Sequence, residues 1–321
     1  MILTVTLNPL LEHRLTYSAV KIGGENRNPN EEYKAGGKGV NVSRQLNLLS
    51  LNNIAFTFLG GFNGKRLKNL LSEEKINFTS VSTQSETRQS AIVIDESKKS
   101  VTSCFGNNST VSVSEVDEFK SKLEKMIQNC EMVVFSGSSP CEEADSIIPF
   151  GINAANRYDK ISICDTYGTH LKKCLENSPT IVHNNVDEVE RSLGRSLKTE
   201  SDFIEYLKYL QSLGVKQAFI TNGAEPAYAS NLDYHYKVFT PKIEAIDSTG
   251  SGDSFVAGAA YGWHHNLPFE DLLIFASALG VVNAARYDVC SVSFDEAEQV
   301  KNRIQIQAIG KKMRLIDVKS S

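Results

Sequence analysis

Short apolar runs alternate with longer amphipathic segments along most of the chain. Each run is bounded by polar residues or glycine, which is typical of strands buried on both faces of a parallel sheet. The predicted strands are residues 2–7, 54–59, 132–135, 161–164, 180–182 and 218–221. Apolar positions spaced three and four residues apart predict helices at about 38–51, 64–74, 114–128, 142–157, 199–212, 253–265, 269–286 and 294–306. The alternation indicates βα units in an α/β fold with a central, mostly parallel sheet.

Two segments break this rhythm. Residues 12–35 and 88–105 alternate apolar with polar positions, which predicts antiparallel strands that are exposed on one face. They form either an edge hairpin of the main sheet or a small β-sheet lid over the carboxyl ends of its strands, where open α/β folds bind ligands. Because the chain has no Pro- or Gly-rich linker and no internal repeat, we predict a single domain, residues 1–321, with this appended lid.

Composition excludes several function classes. The formal net charge of −4 and the pI near 5.9 provide no basic field for nucleic acid or an acidic membrane. The longest nearly apolar stretch, residues 272–285, is too short to span a bilayer, and no signal peptide is visible. Six scattered cysteines without a CxxC pair suggest reduced thiols rather than zinc ligands. We therefore expect a cytoplasmic protein with neither nucleic-acid nor membrane partners.

The most informative motif is the segment 246–258, which reads IDSTGSGDSFVAG. A Gly-Ser-Gly turn before a helix would leave the amides of Ser251, Gly252 and Asp253 free at the positive end of the helix dipole, where an anion binds well. Asp253 beside such an anion could deprotonate a hydroxyl that attacks a phosphoryl group. The alternative is an ordinary turn with an acidic cap.

A second glycine-rich motif, GGKGVN at residues 36–41, also precedes a helical pattern. The chain thus has two anion-friendly helix starts, and one of them carries a lysine. Phosphoryl transfer needs two such places, one for the nucleotide phosphates and one for the acceptor. Residues 60–66 (GGFNGKR) lack the spacing and the hydroxyl of a P-loop, and no dinucleotide G-x-G-x-x-G follows the first strand.

These motifs resemble the two signature segments of the ribokinase-like, phosphofructokinase B family of sugar kinases. TVTLNP, GGKGVNVSRQL, LGGFNG, ETR and SGSSP are similar to the branch that phosphorylates already phosphorylated ketohexoses, and the matches run in order from residue 3 to about 290. The resemblance implies a three-layer α/β/α fold with a small β-sheet lid, ATP and Mg²⁺ as cofactors, and a homodimer that pairs through the lids. It implies tagatose 6-phosphate as the leading acceptor, with fructose 1-phosphate or fructose 6-phosphate as alternatives.

The resemblance also implies residue roles. Asp253 would be the catalytic base, and the amides of Gly250, Ser251 and Gly252 would form the anion hole. Of the acceptor-binding residues, Arg88, Lys38 and Arg27 would hold the existing phosphate. The acceptor-binding set is Glu12, Arg27, Gly37, Lys38, Asn41, Arg88 and Ser138. The nucleotide-binding set is His183, Thr221, Gly223, Glu225, Gly250, Gly252 and Asn283.

Asn185 and Glu188 would organise Mg²⁺, largely through water, because their spacing places them on one helix face. The alternative is an ordinary helix start with an acidic first turn. Asn283 could equally be a packed polar residue with a local hydrogen bond.

Several positions depart from the family pattern. Glu12 replaces the usual Asp that meets sugar hydroxyls, and His183-Asn184-Asn185 replaces Lys-Pro-Asn. The base and the anion hole are intact, but ATP affinity and sugar identity stay open. Two rival functions follow: a kinase for a free sugar or nucleoside, which would not need the cations Arg88 and Lys38, and a catalytically weak sugar-phosphate-binding protein.

Overall fold

The computed structural model describes residues 1–309, so residues 310–321 of the predicted domain lie outside the described part. The strands are β1 Ile2–Thr6, β2 Leu10–Tyr17, β3 Asn30–Gly36, β4 Asn53–Gly60, β5 Phe78–Thr83, β6 Gln89–Asp95, β7 Ser100–Phe105, β8 Met132–Gly137, β9 Ile161–Thr166, β10 Ile181–Asn185, β11 Gln217–Asn222, β12 Glu225–Asn231, β13 Tyr234–Phe239 and β14 Gln305–Ile309. The helices are α1 Lys38–Leu48, α2 Gly61–Glu73, α3 Val113–Gln128, α4 Ile147–Arg157, α5 Leu171–Glu176, α6 Val186–Leu193, α7 Glu200–Ser212, α8 Ser251–His264, α9 Phe269–Ala284 and α10 Phe294–Lys301.

A ten-stranded sheet forms the centre of the fold, in the order β14-β13-β12-β11-β10-β9-β8-β1-β4-β5. Pairing is parallel from β5 to β11, and β12, β13 and β14 continue the sheet antiparallel. The two central strands β1 and β8 are nearly continuous buried apolar runs, as expected for strands with both faces covered. The predicted mostly parallel sheet is confirmed.

Helices cover both faces of this sheet. One core contains the apolar faces of α3, α4, α5, α6 and α7, and a second core contains those of α1, α8, α9 and α10. Leu3 and Val5 of β1 face the first core, whereas Ile2 faces the second, because successive side chains alternate across a strand. The predicted three-layer α/β/α arrangement is therefore confirmed.

A second, separate sheet, the small sheet, has four strands in the order β3-β2-β6-β7. It is not an edge hairpin of the main sheet. The pairs β2–β3 and β6–β7 are antiparallel as predicted, but β2 and β6 run parallel. The chain passes through α1, β4, α2 and β5 of the main body between β3 and β6, and it re-enters the small sheet in the direction of β2. The single-domain assignment stays a prediction.

Some element boundaries differ from the prediction. The helix expected at 294–306 ends at Lys301, and Gln305–Ile309 alternates polar and apolar residues and pairs with β13. The helix expected at 142–157 is divided into a short 3₁₀ helix, Glu142–Ser146, and α4, whose first turn holds Pro149. The prediction missed β5, β12, β13 and α5, which are short and weakly periodic. Within residues 1–309, no helix has both the length and the apolar character needed to cross a membrane.

Candidate active site

The glycine turn before α8 needs a backbone conformation that favours glycine. Gly250 is the residue before the helix and has a φ of 76°. A Cβ atom at this position would lie 2.1 Å from Val289 Cγ1, so no larger side chain fits without moving that neighbour. The turn therefore depends on the missing side chain as well as on the left-handed φ.

The amides at the start of α8 differ in their hydrogen bonds. The Ser251 amide donates to the Ser248 carbonyl at 3.1 Å, so this predicted anion-hole donor is already used to close the turn. Within residues 1–309, the amides of Gly250, Gly252 and Asp253 have no such partner, and the helix start has no side-chain cap. Unpaired amides at the positive end of a helix dipole form a site for an anion.

Asp253 is buried in the first turn of α8, with 3% of its surface exposed. Its Oδ2 accepts a hydrogen bond from Asn41 Nδ2 at 2.8 Å, and its Oδ1 lies 4.0 Å from Lys38 Nζ. Burial raises the pKa of the Asp253 carboxyl to about 6, although the Lys38 charge opposes this shift. A carboxylate with a pKa near neutrality is suited to accept a proton from a hydroxyl.

Lys38 lies at the centre of a carboxylate cluster. Its Nζ is 3.0 Å from Asp165 Oδ1 and 3.0 Å from Glu188 Oε1, in addition to its contact with Asp253. Burial opposes the charge, but the three carboxylates outweigh it and hold the pKa of Lys38 well above its ordinary value. In this structure the Lys38 ammonium is therefore paired with carboxylates, whereas the sequence predicted that it would hold the phosphate of the acceptor.

His183, predicted to contact nucleotide, is buried below the glycine turn. Its Nδ1 is 2.8 Å from Asp165 Oδ1, and its Nε2 is 3.3 Å from Thr221 Oγ1. Its ring stacks on Phe255 of α8, and a Cβ at Gly252 would lie 3.1 Å from the ring. Both ring nitrogens of His183 thus have partners within the protein, and the ring packs against the glycine turn.

Asn185 and Glu188, predicted to organise a metal, form the start of α6. The Asn185 side chain accepts from the Glu188 amide at 2.8 Å, and Glu188 Oε2 accepts from the Asn185 amide at 3.0 Å, which is a capping box. The other Glu188 oxygen holds Lys38. No group of three or more His, Cys, Asp or Glu side chains in residues 1–309 is arranged to bind a metal directly. Both the helix start and a water-mediated contact are compatible with this geometry.

Arg88 lies between β5 and β6, and its hydrogen bonds within residues 1–309 go to neutral oxygens. Its guanidinium donates to the carbonyls of Asn8, at 3.0 Å, and Pro9, at 3.4 Å, and to Asn108 Oδ1 at 3.1 Å. No carboxylate in residues 1–309 pairs with it, and burial lowers its pKa from the ordinary value. A half-buried guanidinium without a counter-ion is a ready site for an anionic group.

A cavity of about 580 Å³ is lined by Ser138, Tyr167 and Asn108, among others. Arg88 does not line it but donates to Asn108 Oδ1 and to the Asn8 carbonyl. The Ser138 hydroxyl accepts a hydrogen bond from Asn8 Nδ2 at 3.2 Å. Two of the predicted acceptor-binding residues, Arg88 and Ser138, are thus connected through Asn8, and Ser138 is the one that lines the cavity.

The other predicted acceptor-binding residues divide into two groups. Glu12 and Asn41 line a second cavity of about 360 Å³, and burial raises the pKa of the Glu12 carboxyl. Gly37, at φ 117°, packs on Thr6 just before α1. Arg27 lies elsewhere: its side chain is 77% exposed and pairs with Glu25 in the loop between β2 and β3. The structure does not bring Arg27 to the acceptor site.

The remaining predicted nucleotide-binding residues have different environments. Gly223, at φ 57°, and Glu225 are exposed at the β11–β12 turn, where a nucleotide could reach them. Asn283 is fully buried, and its side chain donates to the Thr249 carbonyl at 2.8 Å and accepts from the Cys290 amide at 2.7 Å. The sequence left open whether Asn283 contacts nucleotide or is a packed polar residue. In this structure Asn283 is packed, and its hydrogen bonds hold the glycine turn.

The sequence reasoning missed Asp165 and Asn108. Asp165 ends the apolar run of β9, and acids at the carboxyl ends of parallel strands are candidates for a site in this class of fold. That signal was present in the sequence. Asn108 lies in an irregular loop and reaches Arg88 only through tertiary contacts. No local pattern marks it.

Comparison with known proteins extends this description. Residues 14–296 match the model of the pfkB family carbohydrate kinases. The tagatose-6-phosphate kinase of Staphylococcus epidermidis is 30% identical over 312 residues, which cover 95% of this chain and 99% of that protein. The 1-phosphofructokinase of Borreliella burgdorferi is 28% identical over 310 residues, covering 96% and 99%.

The fold has a close structural counterpart. The crystal structure of a possible 1-phosphofructokinase from Thermotoga maritima superimposes with a TM-score of 0.88 at 23% identity. The match covers 96% of this chain and 99% of that structure. At this identity the likeness shows the fold, including the predicted ribokinase-like architecture.

Replacing Asp253 by Asn should stabilise the fold at neutral pH. Burial raises the carboxyl pKa from 3.8 to about 6, so the folded chain binds this proton more tightly than the unfolded chain does. The contribution of Asp253 to stability is therefore full below about pH 4 and is lost as the pH rises through about 6. We expect Asp253→Asn to raise the free energy of unfolding by about 1–3 kcal/mol at pH 7 and by much less at pH 4.

Denaturant unfolding at both pH values measures this effect. Asp117→Asn, on an exposed position of α3, is the matched control and should change stability at neither pH. A loss of stability at pH 7 in the Asp253 variant would show that the carboxylate acts as a structural ion-pair partner.

Proposed function

Because the chain belongs to the pfkB family of carbohydrate kinases, we propose that it transfers the γ-phosphoryl group of ATP to a ketohexose phosphate and forms a bisphosphate. The leading acceptor is tagatose 6-phosphate. Fructose 1-phosphate and fructose 6-phosphate are the alternatives. The relatives named tagatose-6-phosphate kinase and 1-phosphofructokinase, each matched over nearly their whole length, support this choice of acceptor class.

One observation carries the proposal. A buried carboxylate, Asp253, with a pKa raised to about 6, lies at a helix start where the amides of Gly250, Gly252 and Asp253 are unpaired within residues 1–309. A base and an anion site are thus held in the same helical turn. Deprotonation of an alcohol and stabilisation of a transferring phosphoryl group require these two groups side by side.

The proposed reaction is an in-line displacement. Asp253 accepts the proton of the acceptor hydroxyl as its oxygen bonds to the γ-phosphorus, and the bond from phosphorus to the leaving ADP oxygen breaks. The amides of Gly250 and Gly252 bind the charge that develops on the equatorial oxygens. Asn41 holds Asp253 through its 2.8 Å hydrogen bond, so the carboxylate meets the hydroxyl in one orientation.

Arg88 supplies the specificity for a phosphorylated acceptor. Its guanidinium has no carboxylate partner in residues 1–309 and donates to Asn108, which lines a cavity together with Ser138. A planar guanidinium can bind two phosphate oxygens at once. A neutral sugar or nucleoside has no group for this cation, which disfavours the rival function of a free-sugar kinase.

ATP use follows from the kinase family, and we propose Mg²⁺ as the accompanying ion. Glu188 and Asn185 would contact its water shell, and Asp165 adds a buried oxygen, Oδ2, that has no hydrogen-bond partner in residues 1–309. Carboxylate oxygens are the donors that magnesium prefers, and the ion keeps several waters. When bound, it would neutralise charge on the nucleotide phosphates.

We further propose a homodimer that pairs through the small sheets. Strand β7 is one of the two edge strands of the small sheet, and its Phe105 side chain is 63% exposed. An exposed edge strand can pair with a second copy.

We also propose a cytoplasmic location. The six cysteines, all of them free, support a reducing compartment.

Asp253→Asn should lower turnover by roughly 10²–10⁴-fold while ATP and acceptor still bind, because only the proton acceptor is removed. In the unmodified enzyme, kcat/KM should fall about tenfold for each pH unit below about 6, because protonation of Asp253 abolishes the base. A coupled ADP assay from pH 5 to pH 8 measures both effects. Near-normal turnover in the variant would remove Asp253 from this role.

A panel of acceptors tests the proposed function directly. We expect kcat/KM for tagatose 6-phosphate, fructose 1-phosphate or fructose 6-phosphate to exceed that for the unphosphorylated ketohexoses by orders of magnitude. Preference for a free sugar would contradict the proposal. Phosphorylation of none of these acceptors would favour the rival function, a sugar-phosphate-binding protein.

Arg88→Met should raise KM for the phosphorylated acceptor by about 10- to 100-fold, because a charge-assisted bidentate contact is lost. KM for ATP should stay unchanged. Arg157→Met is the matched control, because Arg157 is the last residue of α4 and pairs with Glu124 of α3. An equal loss with phosphorylated and unphosphorylated acceptors would show that Arg88 does not bind the phosphate.

A further inference from the structure

Residues 287–290 lie between the small sheet and the glycine turn and contact both. This segment follows α9, and two of its residues pack or hydrogen-bond against Gly250. Two others bind side chains of β2 and β3. The segment is thus a physical connection between a sheet predicted to cover the acceptor and the amides predicted to bind the transferring group.

On the side of the small sheet, the main contact is a buried arginine. Arg14 of β2 is 2% exposed, and its Nη2 donates to the Tyr287 carbonyl at 2.8 Å. Its Nε lies 3.6 Å from Glu32 Oε1, which is too long for a hydrogen bond. The bond to Tyr287 is therefore the one hydrogen bond of this guanidinium within residues 1–309. Lys34 of β3 adds a partly exposed ion pair with Asp288.

On the side of the glycine turn, the contacts are close and directional. Val289 packs directly against Gly250, where even a methyl group would collide with it. The Cys290 amide donates to Asn283 Oδ1 at 2.7 Å, and Asn283 in turn donates to the Thr249 carbonyl at 2.8 Å. The Cys290 thiol is 3.4 Å from the Gly250 carbonyl. A displacement of the segment would therefore move the turn, because close-packed contacts transmit strain.

We propose that Arg14 is a positioning residue that holds the glycine turn in register with the small sheet through segment 287–290. The inference rests on the proposed kinase function. Arg14 contacts neither Asp253 nor the amides of α8. Its charge also acts on the Glu12 carboxyl, but its hydrogen bond reaches the glycine turn through Tyr287 and the residues that follow it. Charge-assisted hydrogen bonds are the strong ones, and a buried guanidinium has no water to replace a lost partner.

The position of Arg14 on its strand gives this connection a function. Glu12, the residue predicted to grip sugar hydroxyls, lies two positions earlier and so on the same face of β2. Glu12, Arg14, Asn41 and Val289 line one cavity of about 360 Å³. The strand that would hold the acceptor is thus tied to the wall of the anion hole. Transfer requires these two parts to be aligned within a fraction of an ångström.

Arg14→Met tests the connection, because it keeps the bulk of the side chain and removes the donor. We expect kcat to fall about tenfold with KM for ATP changed by less than about twofold, since binding groups stay in place while alignment is lost. Arg14→Lys, which keeps one N–H donor within reach of the Tyr287 carbonyl, should restore most of kcat. Arg66→Met is the matched control: Arg66 of α2 stacks on the Tyr33 ring of β3 and so also joins the small sheet to the main body, but it has no hydrogen bond or ion pair with segment 287–290 within residues 1–309.

A double variant separates positioning from general destabilisation. Val289→Ala loosens the other end of the connection, so the kcat losses of Arg14→Met and Val289→Ala should be non-additive, whereas Arg66→Met should combine additively with either. Unchanged kcat in a folded Arg14→Met variant, an equal loss in the Arg66 control, or full additivity would overturn the proposal.

Hydrogen exchange gives a readout that is independent of turnover. The amides of Ser251, Ser254 and Cys290 are hydrogen-bonded in the glycine turn and the segment, so they should exchange faster in Arg14→Met and not in Arg66→Met. Unchanged exchange would contradict the connection. If the unmodified protein phosphorylates no acceptor, the proposed function fails, and exchange still decides whether Arg14 holds the turn.

Discussion

The pairing of one ammonium with three carboxylates is the interaction on which the rest of the site depends. Burying acids at the carboxyl ends of the central strands is costly unless a cation compensates them, and Lys38 is that cation. Two of these acids, Asp165 and Asp253, lie at different distances from Lys38 Nζ. Asp165, at 3.0 Å from Nζ, has a lowered pKa, because Lys38 and His183 outweigh its burial. Asp253, at 4.0 Å, keeps a raised pKa. One charge thus produces a permanent anion and a proton acceptor in the same pocket.

The fold brings these groups together from distant parts of the sequence. Lys38 begins α1, Asp165 is the last residue but one of β9, and Asp253 lies in the first turn of α8. Parallel strands end at one edge of their sheet, and the helices that follow them begin there, so acids and helix starts accumulate at this edge. The small sheet, whose contacts with segment 287–290 are described above, lies beside it.

Much of this could be predicted from the sequence because the signals are local. The apolar runs predict the parallel strands, and the glycine turn with Asp253 predicts the base and the anion site. Tertiary contacts decide the rest. The role of Lys38 depends on acids more than one hundred residues away, so its motif suggested a phosphate ligand and gave no sign of a carboxylate cluster. The exposed position of Arg27 depends on a loop conformation that no periodicity encodes. Gln305–Ile309 becomes a strand because β13 offers it an edge.

Glu188 carries a consequence for how such a site can evolve. One of its oxygens closes the capping box of α6, and the other holds Lys38. Replacement of Glu188 by Gln would keep the capping box and remove one of the three negative charges around Lys38, whereas replacement by Ala would remove both contacts. The charge around Lys38 therefore constrains this position more tightly than helix initiation does, and a new sugar is more easily accommodated at positions that have a single contact to lose.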